Sequence, residues 1–118
     1  MSRRLKPHRQ QAFLRQDGRC YYCERRMWLG DKHRAARQLQ CTAEHLIARQ
    51  DGGRDSADNI AAACRFCNAA RHRRRRQLTA AQFRDLVQRR LRQGRWLPRH
   101  AESQGALRTN RRMQRIRE

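Results

Sequence analysis

Cys20-Tyr21-Tyr22-Cys23 opens, and Cys64-Arg65-Phe66-Cys67-Asn68-Ala69-Ala70-Arg71-His72 closes, a stretch whose middle reads EHLIARQDGGRDSADNI over residues 44–60. Two residues between the cysteines of a C-x-x-C pair place both sulfurs on one side of a tight turn, where they can grip one tetrahedral metal. Two such pairs complete a four-sulfur shell. Forty residues separate Cys23 from Cys64, more than in a usual zinc ribbon, so the chain must leave the metal, fold an insert and return. The competing reading is a pair of unrelated structural or redox cysteine pairs. A disulfide framework is disfavoured by the odd fifth cysteine, Cys41, and by the lack of a secretory leader in the sequence. The spacing predicts a structural Zn2+ on Cys20, Cys23, Cys64 and Cys67, with Cys41 as a small buried apolar residue.

Composition points the same way. A chain of 118 residues is one domain by length, and its large apolar side chains are few. Phe13, Leu14, Trp28, Leu39, Ile47, Ile60, Phe83, Leu86, Val87, Leu91 and Trp96 are the candidates for a core, and they would make a thin one. Zinc would therefore contribute directly to folding, and a chelator should unfold the chain. The formal net charge is +20, carried by 30 basic residues of which only Lys6 and Lys32 are lysine. A guanidinium offers a planar donor fork that suits phosphate, so nucleic acid is the expected polyanion. A solvated surface is the plainer reading of the charge, and a G+C-rich genome would favour arginine over lysine without explaining the excess. No apolar run reaches the ~18 residues a membrane span needs, and no hydrophobic segment follows the basic N-terminus. A cytoplasmic protein without membrane contact is expected.

Along the chain, a basic leader over 1–9 precedes a short helix at 10–16 with Phe13 and Leu14 inward, ending near Asp17-Gly18. The polar run 32–38 reads as loop or weak helix. Alternation over 39–46 predicts a strand with Leu39, Cys41, Ala43 and His45 on one face and Gln40, Thr42 and Glu44 on the other, which splits the Glu44-His45 pair. Asp51-Gly52-Gly53 supplies a loop whose glycines permit positive φ, and a second strand follows at 60–63. A helix then runs from the second cysteine pair to about Arg76, with Asn68 and His72 on one face. The clearest helix is 79–93, where Thr79 and Gln82 form a capping box, Leu78 and Phe83 a hydrophobic staple, and Gly94 the stop. Trp96-Leu97 folds back on the core before Pro98. The arginine-rich 98–118 segment reads as a basic tail, disordered or nascently helical.

Glu44-His45, Asn59 and Asn68, set between two cysteine pairs, resemble the HNH endonuclease family over roughly 20–76. His45 to Asn59 is 14 positions, Asn59 to Asn68 is 9 and Asn68 to His72 is 4. The resemblance implies an α+β fold: a small zinc-stapled ββα-metal domain over 1–97, with core 20–76, a packing helix at 79–93 and the tail outside it. It also implies that Glu44 is a metal ligand, His45 the general base, Asn59 a bridge that orients the histidine, and Asn68 a second oxygen ligand. Glu44 stands where aspartate is more frequent, and Asn68 where many relatives have histidine, an H-N-N variant met in phage junction-resolving nucleases. Ala48 stands where many relatives have proline. His72 matches the second histidine of colicin-type DNases; it is either a third ligand or one more member of the basic face formed with Arg71 and residues 73–76. Arg71, Arg74 and Arg75 recur near helical spacing and could line a phosphate track, although a solvated stripe would look the same.

The implied activity is divalent-metal-dependent hydrolysis of DNA phosphodiesters, with RNA not excluded and the oligomeric state open. The chemistry suits the residues. Hydrolysis needs a deprotonated water and a cation against the phosphate; histidine is a workable base at neutral pH, and a carboxylate with an amide oxygen offers hard ligands for Mg2+ or another divalent ion such as Mn2+ or Ni2+. The rivals are a zinc-stapled nucleic-acid-binding module that cuts nothing and an adaptor subunit of a larger phage or restriction complex.

Overall fold

The computed structural model describes residues 3–30 and 36–96. The elements run α1 (Lys6–Arg15), β1 (Cys41–His45), β2 (Ile60–Cys64), α2 (Arg65–His72) and α3 (Ala80–Arg92), with short 3-10 turns at Arg37–Leu39 and Arg49–Asp51. Strands β1 and β2 pair antiparallel, Cys41 opposite Cys64 and His45 opposite Ile60. This α+β arrangement, two strands followed by a helix with further helices around them, is the one the sequence predicts.

A two-stranded sheet has two exposed edges, and such edges need covering. On β2 that work falls to α1 and the first cysteine turn. The carboxamide of Gln16 behaves like a strand residue: its Nε2 donates to Ala62 O at 2.8 Å, and its Oε1 accepts from Ala62 N at 2.9 Å. Tyr21 N also donates to Ala62 O at 2.9 Å, and Arg15 Nη2 reaches Ile60 O at 3.1 Å.

Helix α1 starts earlier than predicted, at Lys6, because Pro7 sits in its first turn, where a missing N–H costs nothing and φ is already helical. Its phase differs too. Arg9 and Ala12 are the buried residues, Phe13 is half-buried, and Leu14 is 75% exposed. Close approach to β2 requires a small side chain, and Ala12 supplies it. Helix α2 stops at His72, short of Arg76, since residues 73–76 are four consecutive arginines that repel one another and bring no apolar side chain to anchor a further turn. Helix α3 follows the prediction: Thr79 Oγ1 accepts from Gln82 N, and Gln82 Oε1 accepts from Thr79 N.

The core is built from small residues around few large ones. Ala12, Ala62, Ala63, Cys41 and the four paired cysteines are buried with Tyr22, Phe83 and Val87. Tyr22 meets Phe83 edge to face at 5.0 Å, and Phe83 meets Trp96 at 5.9 Å, so Trp96 does fold back. Ile47, a core candidate by composition, is 56% exposed; its backbone, not its side chain, is what the fold uses. Among the described residues no helix is long and apolar enough to cross a membrane. Leu97, the 98–118 tail, Asp31 and residues 32–35 of the polar run lie outside the described residues.

Candidate metal centre and active site

The two cysteine turns converge. The sulfurs of Cys20, Cys23, Cys64 and Cys67 all lie within 4.8 Å of one another, and all four residues are buried. Sγ of Cys23 and Sγ of Cys64 are 3.9 Å apart, close to the ~3.8 Å edge of a tetrahedron with metal–sulfur bonds near 2.3 Å. Backbone amides already point at the sulfurs, as they do around a thiolate-bound ion. Cys64 N donates to Cys20 Sγ at 3.3 Å, Tyr22 N to the same sulfur at 3.4 Å, and Cys67 N to Cys64 Sγ at 3.4 Å. The indole Nε1 of Trp96 adds a bond to Cys67 Sγ at 3.3 Å. Burial opposes ionisation of Cys20, yet hydrogen bonds from Cys23, Cys64 and Cys67 outweigh it and hold its pKa well below the ordinary thiol range. The Cys64 and Cys67 thiols are pushed up, first by their hydrogen bonds to Cys20 and then to Cys23. Four convergent buried sulfurs form a donor set that fits Zn2+. Cys41 is buried and its thiol is pushed up to about 12 by desolvation, as a small apolar residue should behave.

Alternation along β1 separates Glu44 from His45 as predicted. Glu44 turns toward α2. Its side chain is 2% exposed, with Oε2 3.3 Å from Arg71 Nη1 and accepting the Tyr22 hydroxyl at 3.0 Å. Burial, followed by the charge of Glu44, keeps that phenol neutral far above its ordinary range. The other oxygen, Oε1, lies 3.1 Å from Nε2 of His72, whose side chain is 49% exposed. Adjacent ligands on an octahedral ion with bonds near 2.1 Å are ~3.0 Å apart, so this carboxylate–imidazole pair has the separation of two neighbouring ligands. Asn68 stands one turn earlier on α2; its Nδ2 donates to Thr42 Oγ1 at 2.9 Å and to Ala43 O at 3.3 Å. No hydrogen bond reaches its Oδ1 among the described residues. Glu44 Oε1 and His72 Nε2 could serve as ligands of a divalent cation, and Asn68 stands one turn before His72 on the same helix.

His45 sits at the end of β1 beside the loop to β2. Its Nε2 is 2.7 Å from Asp55 Oδ1, with the two side chains 17% and 13% exposed. Arg49 grips the same carboxylate, Nε to Oδ1 at 3.1 Å and Nη2 to Oδ2 at 2.8 Å. The Asp55 carboxyl is held below the usual aspartate range, first by the bond to His45 and then by Arg49. Asn59 is buried and ties the loop shut. Its Oδ1 accepts from Ile47 N at 2.9 Å, and its Nδ2 donates to Ile47 O and Arg54 O, both at 3.0 Å. Gly53 permits that closure for a reason other than positive φ, which here belongs to Gly52 at 92°. A Cβ on Gly53 would lie 1.7 Å from Ile47 O.

Of the predicted phosphate track, Arg75 is exposed and Arg74 half-buried, but Arg71 points inward. Its guanidinium donates to the Tyr22 hydroxyl at 2.9 Å and to the carbonyls of His45, Leu46 and Leu78 at 3.1, 3.2 and 3.4 Å. A buried carboxylate needs a counter-charge, and Arg71 provides it one turn beyond Asn68. Sequence reasoning also passed over Tyr22 and Asp55. Neither carries a spacing signal, since their partners Glu44 and His45 lie on other elements.

Residues 20–74 match the protein-family model described as HNH endonuclease. That stretch is therefore similar to an HNH endonuclease domain, and the four clustered cysteines fit its zinc-stapled type. Comparison with curated proteins and with solved structures gives no match. An HNH domain implies nuclease chemistry on a nucleic-acid substrate in general.

Proposed function

We propose that this HNH domain is a divalent-metal-dependent endonuclease that hydrolyses DNA phosphodiester bonds, with His45 as the general base. The observation that carries the proposal is the 3.1 Å pairing of Glu44 Oε1 with His72 Nε2, beside Asn68 and one residue from His45. A cation held by Glu44, His72 and Asn68 would act as a Lewis acid, neutralising charge that builds on the scissile phosphate. The presence of an imidazole in that set favours Mn2+ or Ni2+ over Mg2+.

The chain's own groups do the rest. His45 takes the proton of the attacking water. Arg71 and Tyr22 hold Glu44 from behind, leaving Oε1 as the oxygen that faces outward. Asn59 fixes the loop beside His45 and touches no reacting atom. The exposed arginines Arg73, Arg75 and Arg76 and the half-buried Arg74 lie just past α2, where they would hold the nucleic-acid backbone without reading its bases. Zinc is structural, within a domain taken to span 1–97, and a reducing cytoplasm would keep its thiols available.

The test is nicking of supercoiled plasmid by the zinc-loaded protein with Mg2+, Mn2+ or Ni2+, with RNA as a parallel substrate. His45→Ala should lower the rate about 100- to 10,000-fold while leaving salt-sensitive DNA binding in place. Equal rates for the two proteins would sink the mechanism. Binding without cleavage by the wild type under every ion would leave the non-cutting zinc module standing.

A further inference from the structure

We infer that Asp55 is the positioning residue for the general base: it accepts the Nε2 proton of His45, locks the ring in one tautomer and leaves Nδ1 as the nitrogen that receives the proton from water. This rests on the proposed role of His45.

Three observations lead to it. The first is the bond itself, 2.7 Å between Nε2 and Oδ1 with both side chains largely covered. Exposed ion pairs of this kind contribute little, but a covered pair restricts rotation of the ring. The second is the fork from Arg49, whose two nitrogens engage both carboxylate oxygens at 3.1 and 2.8 Å. Arg49 is 59% exposed and approaches from the solvent side, so it fixes the carboxylate plane without displacing His45. The third is the loop. Asn59 holds Arg54 O at 3.0 Å, the residue directly before Asp55, and holds both polar backbone atoms of Ile47, two residues after His45. The asparagine therefore orients the histidine indirectly, by fixing the backbone that presents Asp55.

The proton assignment follows from donor and acceptor chemistry. A carboxylate engaged by a guanidinium only accepts hydrogen bonds, so the nitrogen facing it carries the hydrogen, and the lone pair of a neutral imidazole then resides on the other nitrogen. Among the described residues Nδ1 has no hydrogen-bond partner, which leaves that lone pair available. A histidine base oriented by a carboxylate is a recurrent solution in hydrolases; here the carboxylate comes from the loop of the hairpin that bears the base.

The experiment compares wild type, His45→Ala, Asp55→Ala and Asp55→Asn in the plasmid-nicking assay, with kcat and KM separated, and records nitrogen–proton correlation spectra of the His45 ring in the zinc-loaded proteins. Asp55→Ala should lower kcat about 10- to 100-fold with KM little changed, and the ring should pass from a single Nε2–H form to a mixture. Asp55→Asn keeps an acceptor oxygen and should recover part of both signals. A His45→Ala loss together with an unchanged Asp55→Ala kcat overturns this inference alone. A wild-type ring protonated on Nδ1, or one whose spectrum is indifferent to Asp55→Ala, overturns it without reference to activity. If His45→Ala itself nicks at the wild-type rate, the role of His45 falls, and that of Asp55 with it.

Discussion

Replacing Arg71 with methionine keeps an unbranched apolar stem and removes every donor from a side chain that is 7% exposed. The groups left behind can be named. Glu44, 2% exposed, loses its counter-charge at 3.3 Å; the carbonyls of His45, Leu46 and Leu78 lose a donor each, and the Tyr22 hydroxyl loses one at 2.9 Å. Breaking a buried ion pair from one side costs about 3–5 kcal/mol, because the remaining charge stays in a poor solvent. Glu44 keeps the Tyr22 hydroxyl and His72, which limits the loss, while the orphaned carbonyls push it toward the upper end. A small domain holds about 5–15 kcal/mol in all, and each kcal/mol moves the midpoint by roughly 4–8 °C at this size. The expected fall in Tm is therefore at least about 12 °C.

The assay is thermal and urea denaturation in zinc-saturated buffer, followed by circular dichroism, for Arg71→Met, Glu44→Gln and the double variant. Glu44→Gln removes the charge that Arg71 balances, so the double variant should be more stable than the sum of the singles predicts, by about 2 kcal/mol or more. A loss below about 1 kcal/mol in Arg71→Met, with no coupling to Glu44, would refute the reasoning. It would mean that the guanidinium is solvated, and it would return Arg71 to the phosphate track that sequence spacing suggests.

Three further outcomes are expected. Excess chelator should unfold the protein rather than only inhibit it, and Trp96→Phe, which keeps the ring against Phe66 and Phe83 but loses the N–H to Cys67, should weaken zinc binding by up to about 10-fold in a competition titration; equal affinity would show the indole bond to be inert. In acid, Asp55 and Asp58 should each contribute a stability that is complete above about pH 3.9 and lost as pH falls through their lower native values, since both carboxyls are depressed in the fold, Asp55 chiefly by His45 and Asp58 chiefly by Ser56. Thermal melts of Asp55→Asn and Asp58→Asn at matched zinc should show a shallower acid limb than wild type, and identical limbs would contradict the assignment.

What the sequence makes legible is what depends on local spacing. The cysteine pairs, the capping box at Thr79 and Gln82, the alternation that separates Glu44 from His45, and the one-face placement of Asn68 and His72 all follow from the geometry of a turn, a cap, a strand or a helix. What it hides depends on what stands opposite. Phe13-Leu14 looks like the inward face of α1, yet Arg9 and Ala12 are the positions that the fold buries. Arg71 looks like its neighbours at 73–76 because composition counts charge and not direction; only the burial of Glu44 makes an inward arginine necessary. Asp55 is invisible for a similar reason, since nine residues separate it from the histidine it engages and no periodicity spans a loop.

Helix α2 is where these two kinds of information meet, and its shortness has a physical consequence. Within eight residues it presents Cys67 to the sulfur cluster, Asn68 to β1, Arg71 to the back of Glu44 and His72 to its front. A helix of two turns is not stable by itself in water, although the basic residues of its last turn complement its dipole. Much of its hold on the domain therefore comes from the cysteine pair at its first turn and the Arg71 bonds at its last. Removing zinc releases the first, and Arg71→Met the second. Either change should shift Asn68 and His72 relative to Glu44, so under the proposed function a zinc that would take no part in hydrolysis would govern whether the groups assigned to it can assemble.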